Sequence, residues 1–171
     1  LWQVSDGTLL FTLDQASPVP SVSFSPDGTI LAAGSIDGTL RLWQVTDGTV
    51  LRGRDGDSGI IQSVAFSPTG DMLASGYDNG KVILWDFPSG NVLAILRGHT
   101  GEVSSLAFSP AGSTLASGSH DSTTRLWNAS DGALLHTLEG EVEAVTRVAF
   151  APDGTILASG SRDGFIYLWR V

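Results

Sequence analysis

The sequence contains no cysteine, few basic residues and no long apolar run, and each absence excludes a class of protein. Without cysteine the chain has no disulfide and no thiolate nucleophile or metal ligand. Nine basic residues against eighteen acidic ones give a net charge of −9, which argues against binding to nucleic-acid phosphates. No apolar stretch approaches the ~20 residues of a membrane span. We expect a cytoplasmic protein with neither nucleic acid nor membrane as a partner.

What the sequence does contain is a repeat that runs along its whole length. Tryptophans recur 41, 42, 42 and 42 residues apart, at Trp2, Trp43, Trp85, Trp127 and Trp169. Phenylalanines recur at a strict spacing of 42, at Phe24, Phe66, Phe108 and Phe150. A period of this size is typical of solenoids and propellers, in which each unit buries its apolar face only against its neighbours. The repeats are approximately 14–55, 56–97, 98–139 and 140–171.

Each repeat has the pattern of a small antiparallel sheet. Apolar residues alternate with a period of two, as in Ser21–Phe24 and Thr39–Trp43, which predicts strands. Glycine-containing turns, such as Ser25 to Gly28 and Asp37-Gly38, divide a repeat into four short strands. The sequence therefore predicts an all-β fold without helical repeats.

The third repeat carries a resemblance to a known family. It reads Gly98-His99, Val103 to Pro110, Leu115 to Asp121 and Arg125-Leu-Trp127, and it resembles a blade of the WD-repeat β-propeller family. The resemblance covers all four repeats. It implies one domain, 1–171, of four-stranded antiparallel blades, four per chain. It also implies a hydrogen-bonded structural tetrad inside a blade, formed here by His99, Ser117, Asp121 and Trp127.

The other repeats match the tetrad only in part. The fourth has Ser159, Asp163 and Trp169 but Glu141 at the histidine position. The second has Asp57, Ser75, Asn79 and Trp85, and the first has Gln15, Ala33, Asp37 and Trp43. We expect these blades to hold their turns less rigidly than the third blade does.

The two ends of the sequence predict how the blades close into a ring. The last blade has no segment for an outer strand, and residues 1–13, through Thr8 to Leu13, supply a spare one that would pair with its edge. Four blades would have to turn twice as far per blade as eight. We therefore expect two chains to form one eight-bladed ring by strand exchange, a closed four-bladed monomer being the alternative. The first residue is leucine and Met72 is the only methionine, so we expect the chain to be a natural or engineered piece of a longer array.

Few residues indicate catalysis or cofactor binding. Ser117, His99 and Asp121 look like a hydrolytic triad, but the resemblance assigns them to the structural tetrad. Asp55 to Gly59 has a trace of a calcium loop without the closing glutamate, and His120 and His136 lack a second ligand at metal-binding spacing. No phosphate-binding glycine motif is present. We expect no catalytic residue, no metal and no cofactor.

The varied loop positions predict a surface for binding a protein or peptide. In the family, the loop before the first strand and the turn between the second and third strands open on one side. Twelve positions are assigned to this partner-binding face: Pro18, Pro20, Ile36, Ile60, Gln62, Asp78, Glu102, Ser104, His120, Ala144, Thr146 and Arg162. An acidic run, Glu139, Glu141 and Glu143, lies on the same predicted side and favours a basic partner.

We therefore predict a non-enzymatic scaffold that binds a protein or peptide across this face. A second interpretation is a repeat fragment whose only property is propeller assembly. A third is a propeller hydrolase or lyase, for which Asp78, Glu102 and His120 are the candidate groups.

Overall fold

The computed structural model describes residues 1–54 and 59–171, and in this part of the chain all regular structure is β-strand. The strands are β1 (Ser21–Phe24), β2 (Ile30–Gly34), β3 (Leu40–Gln44), β4 (Val50–Arg54), β5 (Ile61–Phe66), β6 (Met72–Tyr77), β7 (Val82–Asp86), β8 (Val92–Leu96), β9 (Val103–Phe108), β10 (Thr114–Ser119), β11 (Thr124–Asn128), β12 (Leu134–Leu138), β13 (Val145–Phe150), β14 (Ile156–Ser161) and β15 (Ile166–Arg170). The described segments contain no helix that is long and apolar enough to cross a membrane.

These strands form four sheets, which are the four blades. Each sheet is a simple antiparallel meander: β1 to β4, β5 to β8, β9 to β12, and the three-stranded β13 to β15. The register repeats between blades, because each repeated phenylalanine faces a leucine: Phe24 with Leu31, Phe66 with Leu73, Phe108 with Leu115 and Phe150 with Leu157. The predicted all-β fold and the four-stranded blades are confirmed for the first three repeats.

The turn after the first strand shows why the sequence forces these hairpins. In the first blade, Gly28 has a φ of 70°, a conformation that glycine adopts without steric cost. The preceding Asp27 accepts hydrogen bonds from the amide of Thr29 (3.1 Å) and the hydroxyl of Ser25 (2.6 Å). These bonds hold the pKa of Asp27 below its ordinary value. The Ser-Pro-Asp-Gly segment is thus a self-contained turn.

The core lies between blades rather than inside them. The first blade contributes Ala32, Leu40 and Leu42 to a cluster with Ile61 and Val64 of the second, and corresponding clusters join the second blade to the third and the third to the fourth. Glycines in the second strands permit the close approach, since a Cβ on Gly118 would lie 2.7 Å from Val145 Cγ1. The four blades therefore pack in series.

The N-terminal segment packs against the first blade. Trp2 pairs with Leu9 in an isolated antiparallel bridge, and the terminal amino group donates to the carbonyl of Phe11 at 2.8 Å. Leu1 and Leu13 pack against the buried side chains of Leu31 and Trp43. At the other end of the row, β15 is the edge strand of its sheet. Pairing of residues 1–13 with the last blade therefore stays a prediction.

Candidate interaction face

One hydrogen bond, repeated in every blade, builds the loop face, which we define as the side formed by the loops before the first strands and the turns between the second and third strands. The amide of the turn residue donates to a carbonyl in the loop of the same blade. The four pairs are Ile36 to Pro18 (3.0 Å), Asp78 to Ile60 (3.0 Å), His120 to Glu102 (2.8 Å) and Arg162 to Ala144 (2.9 Å). Backbone geometry is thus constant, while the side chains differ.

Most of the twelve predicted face residues have side chains that reach solvent. Pro18, Pro20, Ile36 and Arg162 are exposed, and Ile60, Gln62, Asp78, Glu102, His120, Ala144 and Thr146 are half-buried. Ser104 is buried, and its hydroxyl donates to the carbonyls of Gly118 (3.1 Å) and Val145 (2.5 Å). The hydroxyl of Thr146 likewise donates to the carbonyl of Gly160 at 2.9 Å. Ser104 and Thr146 are therefore engaged within the propeller framework.

Three glutamates lie in the loops of the third and fourth blades on this face, beside the exposed Arg162. Glu139 and Glu143 are exposed, and Glu102 is half-buried with a carboxylate oxygen 3.8 Å from Nε2 of His120. Glu141 differs from the expectation of a solvated acidic run, because its side chain is buried inside the fourth blade. Three carboxylates rather than four contribute to the field at this surface.

The three groups considered for catalysis lie in two neighbouring blades. His120 and Glu102 lie in one blade, whereas Asp78 belongs to the neighbouring blade and accepts the amide of Ile60 at 3.0 Å. Among the residues that the structure describes, no three acidic or histidine side chains are grouped so as to hold a metal ion. The weak calcium-loop pattern falls mainly on 55–58, outside the described residues.

In the third blade, the four tetrad residues form one chain of hydrogen bonds. Nδ1 of His99 lies 2.9 Å from Oδ2 of Asp121, and its Nε2 lies 2.7 Å from Oγ of Ser117. The indole N–H of Trp127 donates to the same serine oxygen at 2.8 Å. Burial lowers the pKa of His99 despite the opposing effect of Asp121. His99 thus fixes the turn carrying Asp121, and Ser117 is fully buried away from solvent.

In the fourth blade, a carboxyl group takes the place of the histidine. The indole N–H of Trp169 donates to Ser159 at 2.8 Å, and Ser159 donates to Oε1 of Glu141 at 2.5 Å. The second oxygen, Oε2 of Glu141, is buried without a hydrogen-bond partner. Burial raises the pKa of Glu141. Asp163 instead accepts the hydroxyl of Tyr167 at 2.8 Å, so the two halves of the tetrad are separated.

The first two blades keep smaller parts of the network. In the second, the indole of Trp85 donates to Ser75 at 2.8 Å, and Asn79 accepts the amide of Lys81 at 3.2 Å, while Asp57 lies outside the described residues.

In the first blade, Ala33 has no hydroxyl to join Trp43 to Gln15. The Gln15 amide donates instead to the carbonyl of Thr39 at 3.3 Å, and Asp37 accepts the hydroxyl of Ser35.

A further set of polar residues, which the sequence interpretation missed, joins neighbouring blades. The hydroxyl oxygens of Ser21, Ser63 and Ser105 accept the amides of Val64 (3.0 Å), Leu106 (3.1 Å) and Val148 (3.1 Å) in the next blade. The signal is present in the sequence, because these serines are 42 residues apart. The corresponding residue in the fourth blade is Arg147.

Comparison with known proteins establishes the family. The model of the WD domain, G-beta repeat, matches residues 7–44, 47–86, 90–128 and 132–170. The chain therefore belongs to the WD-repeat family.

The curated relatives match only short segments. Serine-threonine kinase receptor-associated protein is 64% identical over 31 residues in Gallus gallus, covering 18% of this chain and 9% of that protein. Periodic tryptophan protein 2 homolog of Schizosaccharomyces pombe is 46% identical over 46 residues, covering 26% of this chain and 5% of that protein. The matches thus span less than a tenth of these relatives.

A solved structure matches almost the whole chain. The crystal structure of the computationally designed Ika4 protein superposes with a TM-score of 0.86 at 30% identity, covering 96% of this chain and 99% of that one. The matched region therefore includes nearly all of the four repeats.

Proposed function

We propose that the chain is a non-enzymatic scaffold that binds a protein or peptide across its loop face. The observation that carries the proposal is the backbone hydrogen bond between loop and turn in all four blades, which presents variable side chains from a constant framework. Loops that a rigid scaffold holds in position are a common place for binding residues. The name of the chicken relative, a receptor-associated protein, is in keeping with a protein partner.

We propose that the partner presents a basic segment beside an apolar side chain. Glu102, Glu139 and Glu143 give the third and fourth blades a negative field, which attracts cations over distances set by the salt concentration. Ile36 on the first blade is 42% exposed and provides an apolar contact on the same side. Together these residues fit a peptide that carries both lysine or arginine and an apolar residue.

A fluorescence-anisotropy titration tests this proposal. The probe is a labelled peptide library rich in lysine, arginine and leucine, with a matched library in which glutamate replaces the basic residues. We expect only the basic library to bind, with an affinity that falls as salt rises. Replacing Glu102→Gln together with Glu143→Gln should weaken binding about tenfold, because two charges near the surface contribute about 0.5–1 kcal/mol each.

The matched control is Asp27→Asn with Asp153→Asn on the opposite side of the propeller. It removes the same two charges, and the asparagine oxygen still accepts the turn hydrogen bonds that the two aspartates receive from Thr29 and Thr155. Equal weakening by both pairs would reduce the effect to net charge. Absence of binding to either library would support the alternative that the chain serves assembly alone.

We also propose that two copies complete an eight-bladed ring, so that the loop face is present twice around one channel. The row of blades supports this arrangement, because its two ends leave apolar side chains in solvent, Val22 and Phe24 on the first blade and Ile166 and Leu168 on the fourth. A solution mass of twice 17.9 kDa is the expected result. A single-chain mass with exchange-protected β15 amides would instead indicate a closed four-bladed monomer.

A further inference from the structure

We propose that the fourth blade of a second copy docks against the first blade and displaces residues 1–4. Residues 168–171 of the second copy, which correspond in sequence to residues 1–4, take their place. The inference rests on the proposed ring. It adds which residues form the contact between the two copies and that residues 1–4 compete for this contact. The docking surface consists of Val19 and Val22 on the first blade and the extended segment Leu9–Leu13. The surface that it receives consists of Gly160 and β15.

The contact between Gly160 and the two valines follows from the interfaces already present in the chain. At each interior junction a glycine of one blade lies beneath two branched side chains of the next: Gly34 with Ile61 and Val64, Gly76 with Val103 and Leu106, and Gly118 with Val145 and Val148. The residues 42 positions before Ile61 and Val64 are Val19 and Val22, which are both exposed. The residue 42 positions after Gly118 is Gly160. A Cβ on Gly160 would meet only Thr146 Oγ1, at 3.7 Å. Each end therefore carries the half of the junction that the other end needs.

The outer strand for the docked blade is already in position. In the second and third blades, the turn glycines Gly90 and Gly132 lie against the outer strand of the blade before, at Arg52 and at Ala94 and Leu96. Gly48 of the first blade makes the same kind of contact with Phe11 and Leu13, at 3.2 and 3.3 Å for an added Cβ. Leu9–Leu13 thus occupies, beside the first blade, the place that the outer strand of the preceding blade takes at the second and third blades.

Residues 1–4 fill part of that absent blade. Leu1-Trp2-Gln3-Val4 corresponds to Leu168-Trp169-Arg170-Val171. Trp2 pairs with Leu9 as Trp43 pairs with Val50 and Trp85 with Val92, so it stands in the register that Trp169 of a second copy would take.

The tryptophan of this segment is incompletely packed. Trp2 is 66% exposed, whereas the equivalent Trp43, Trp85 and Trp127 are buried. A cavity of about 430 Å³, lined by side chains that include Leu9, Val19, Val22, Leu31 and Trp43, lies between the segment and the first blade. A complete β15 with its blade would pair along more of Leu9–Leu13 and bury the apolar side chains that line this open pocket.

One difference makes this junction weaker than the interior ones. Arg147 stands where Ser21, Ser63 and Ser105 accept an amide from the following blade. Its guanidinium donates to the carbonyls of Thr146 (2.8 Å) and Ser104 (3.3 Å) in its own and the preceding blade. The amide of Val22 in the second copy would therefore find no hydroxyl oxygen, and Arg147→Ser should supply one.

Light scattering coupled to size exclusion over a range of concentrations tests the surface with four chains. Gly160→Val places a side chain into the junction but into open space within one chain, so we expect the dimer Kd to rise at least about tenfold with an unchanged circular-dichroism spectrum. The matched control is Gly53→Val, also in a strand, where the nearest atom to an added Cβ is Arg41 Cγ at 3.7 Å. Arg147→Ser and deletion of residues 1–4 should each lower the Kd, the deletion by about tenfold.

The outcomes separate the surface, the competition and the ring. Dimerisation of Gly160→Val with the Kd of the unaltered chain would overturn the contact with Val19 and Val22. A deletion variant with an unchanged Kd would overturn displacement of residues 1–4 and leave the ring intact. A single-chain mass for the unaltered chain, the deletion and Arg147→Ser at every concentration would overturn the ring, whereas peptide binding at the loop face would be unaffected.

Discussion

The third and fourth blades share the sequence of their second strand but have different surroundings. Both contain Leu-Ala-Ser-Gly-Ser in the second strand, at Leu115 and at Leu157. The third blade is covered on both faces, and its Leu126 is 3% exposed; the equivalent Leu168 of the fourth blade is 70% exposed. Burial in this fold is therefore set by the neighbouring blade rather than by the repeat itself, as nearest-neighbour stabilisation of repeat proteins requires.

The tetrad hydrogen bonds of the two blades differ as well, and they are again more complete in the third blade. In the third, His99 joins Asp121 to Ser117 and Trp127 in a single network. In the fourth, Glu141 binds Ser159 but leaves one buried oxygen without a partner. An unpaired buried oxygen costs stability, and a satisfied network adds rigidity. The fourth blade is thus the weaker of the two in packing and in hydrogen bonding.

The largest expected effect comes from filling the junction between these blades. Gly118→Val would place atoms within 3 Å of Val145, and overpacking of a buried contact costs about 3 kcal/mol. We expect the free energy of unfolding, measured with urea, to fall by that amount, whereas Gly53→Val changes it little. A Gly118→Val chain as stable as the original would contradict the packing in series.

Replacing the tetrad serine with alanine should destabilise the chain more in the third blade than in the fourth. Ser117→Ala leaves the buried N–H of Trp127 and a ring nitrogen of His99 without their partner, at a cost of about 2 kcal/mol or more. Ser159→Ala should cost about 1 kcal/mol, because Trp169 is only half-buried and its N–H can reach water. Urea denaturation of both variants measures the difference. Equal losses would show that the fourth blade is as enclosed as the third.

The pH dependence of stability should have opposite signs at the two centres. Burial raises the pKa of Glu141 above its ordinary 4.5, so its contribution is fully present below pH 4.5 and is lost as the pH rises through the folded-state pKa. Relative to Glu141→Gln, the original chain should lose stability over that rise. Unfolding curves of both chains in a pH series give the free energy of unfolding of the original chain minus that of Glu141→Gln. An increase of this value with rising pH would contradict the prediction.

For His99 the sign is reversed. Burial lowers its pKa below the ordinary 6.5, so its contribution is complete above pH 6.5 and declines as the pH falls toward the folded-state pKa. The stability difference between the original chain and His99→Gln should therefore shrink on acidification from pH 7. This is the smallest expected effect, because the carboxylate of Asp121 stabilises the imidazolium and so opposes the effect of burial on the pKa of His99.

The strands and the third tetrad were predictable because the information is local and is written four times. Alternating apolar residues and turns such as Ser25 to Gly28 specify each hairpin, and the register follows from the turns. The spacing of His99, Ser117, Asp121 and Trp127 had a family pattern to match. The loop face followed from placing the same turn in successive blades.

Contacts that depend on a neighbour were not predictable in this way. Glu141 reads as part of an exposed acidic run, but the fold carries it into the position of a buried histidine. The residue type at the position of Ser104 differs between repeats, as it does at the loop positions. The Ser104 hydroxyl nevertheless bonds to carbonyls in two blades. The position of Leu9–Leu13 beside the first blade depends on packing against Gly48, for which the sequence has no local signal.

The most direct test of complementary ends is a disulfide between Thr12→Cys and Tyr167→Cys. The register of Gly53 with Arg41 in the first blade predicts that these positions face each other when β15 of a second copy pairs with Leu9–Leu13. The unaltered sequence has no cysteine, so any bridge is assignable. We expect mild oxidation to give a covalent species of twice 17.9 kDa, measured by non-reducing mass spectrometry. A bridge within a single chain, or none, would contradict the account.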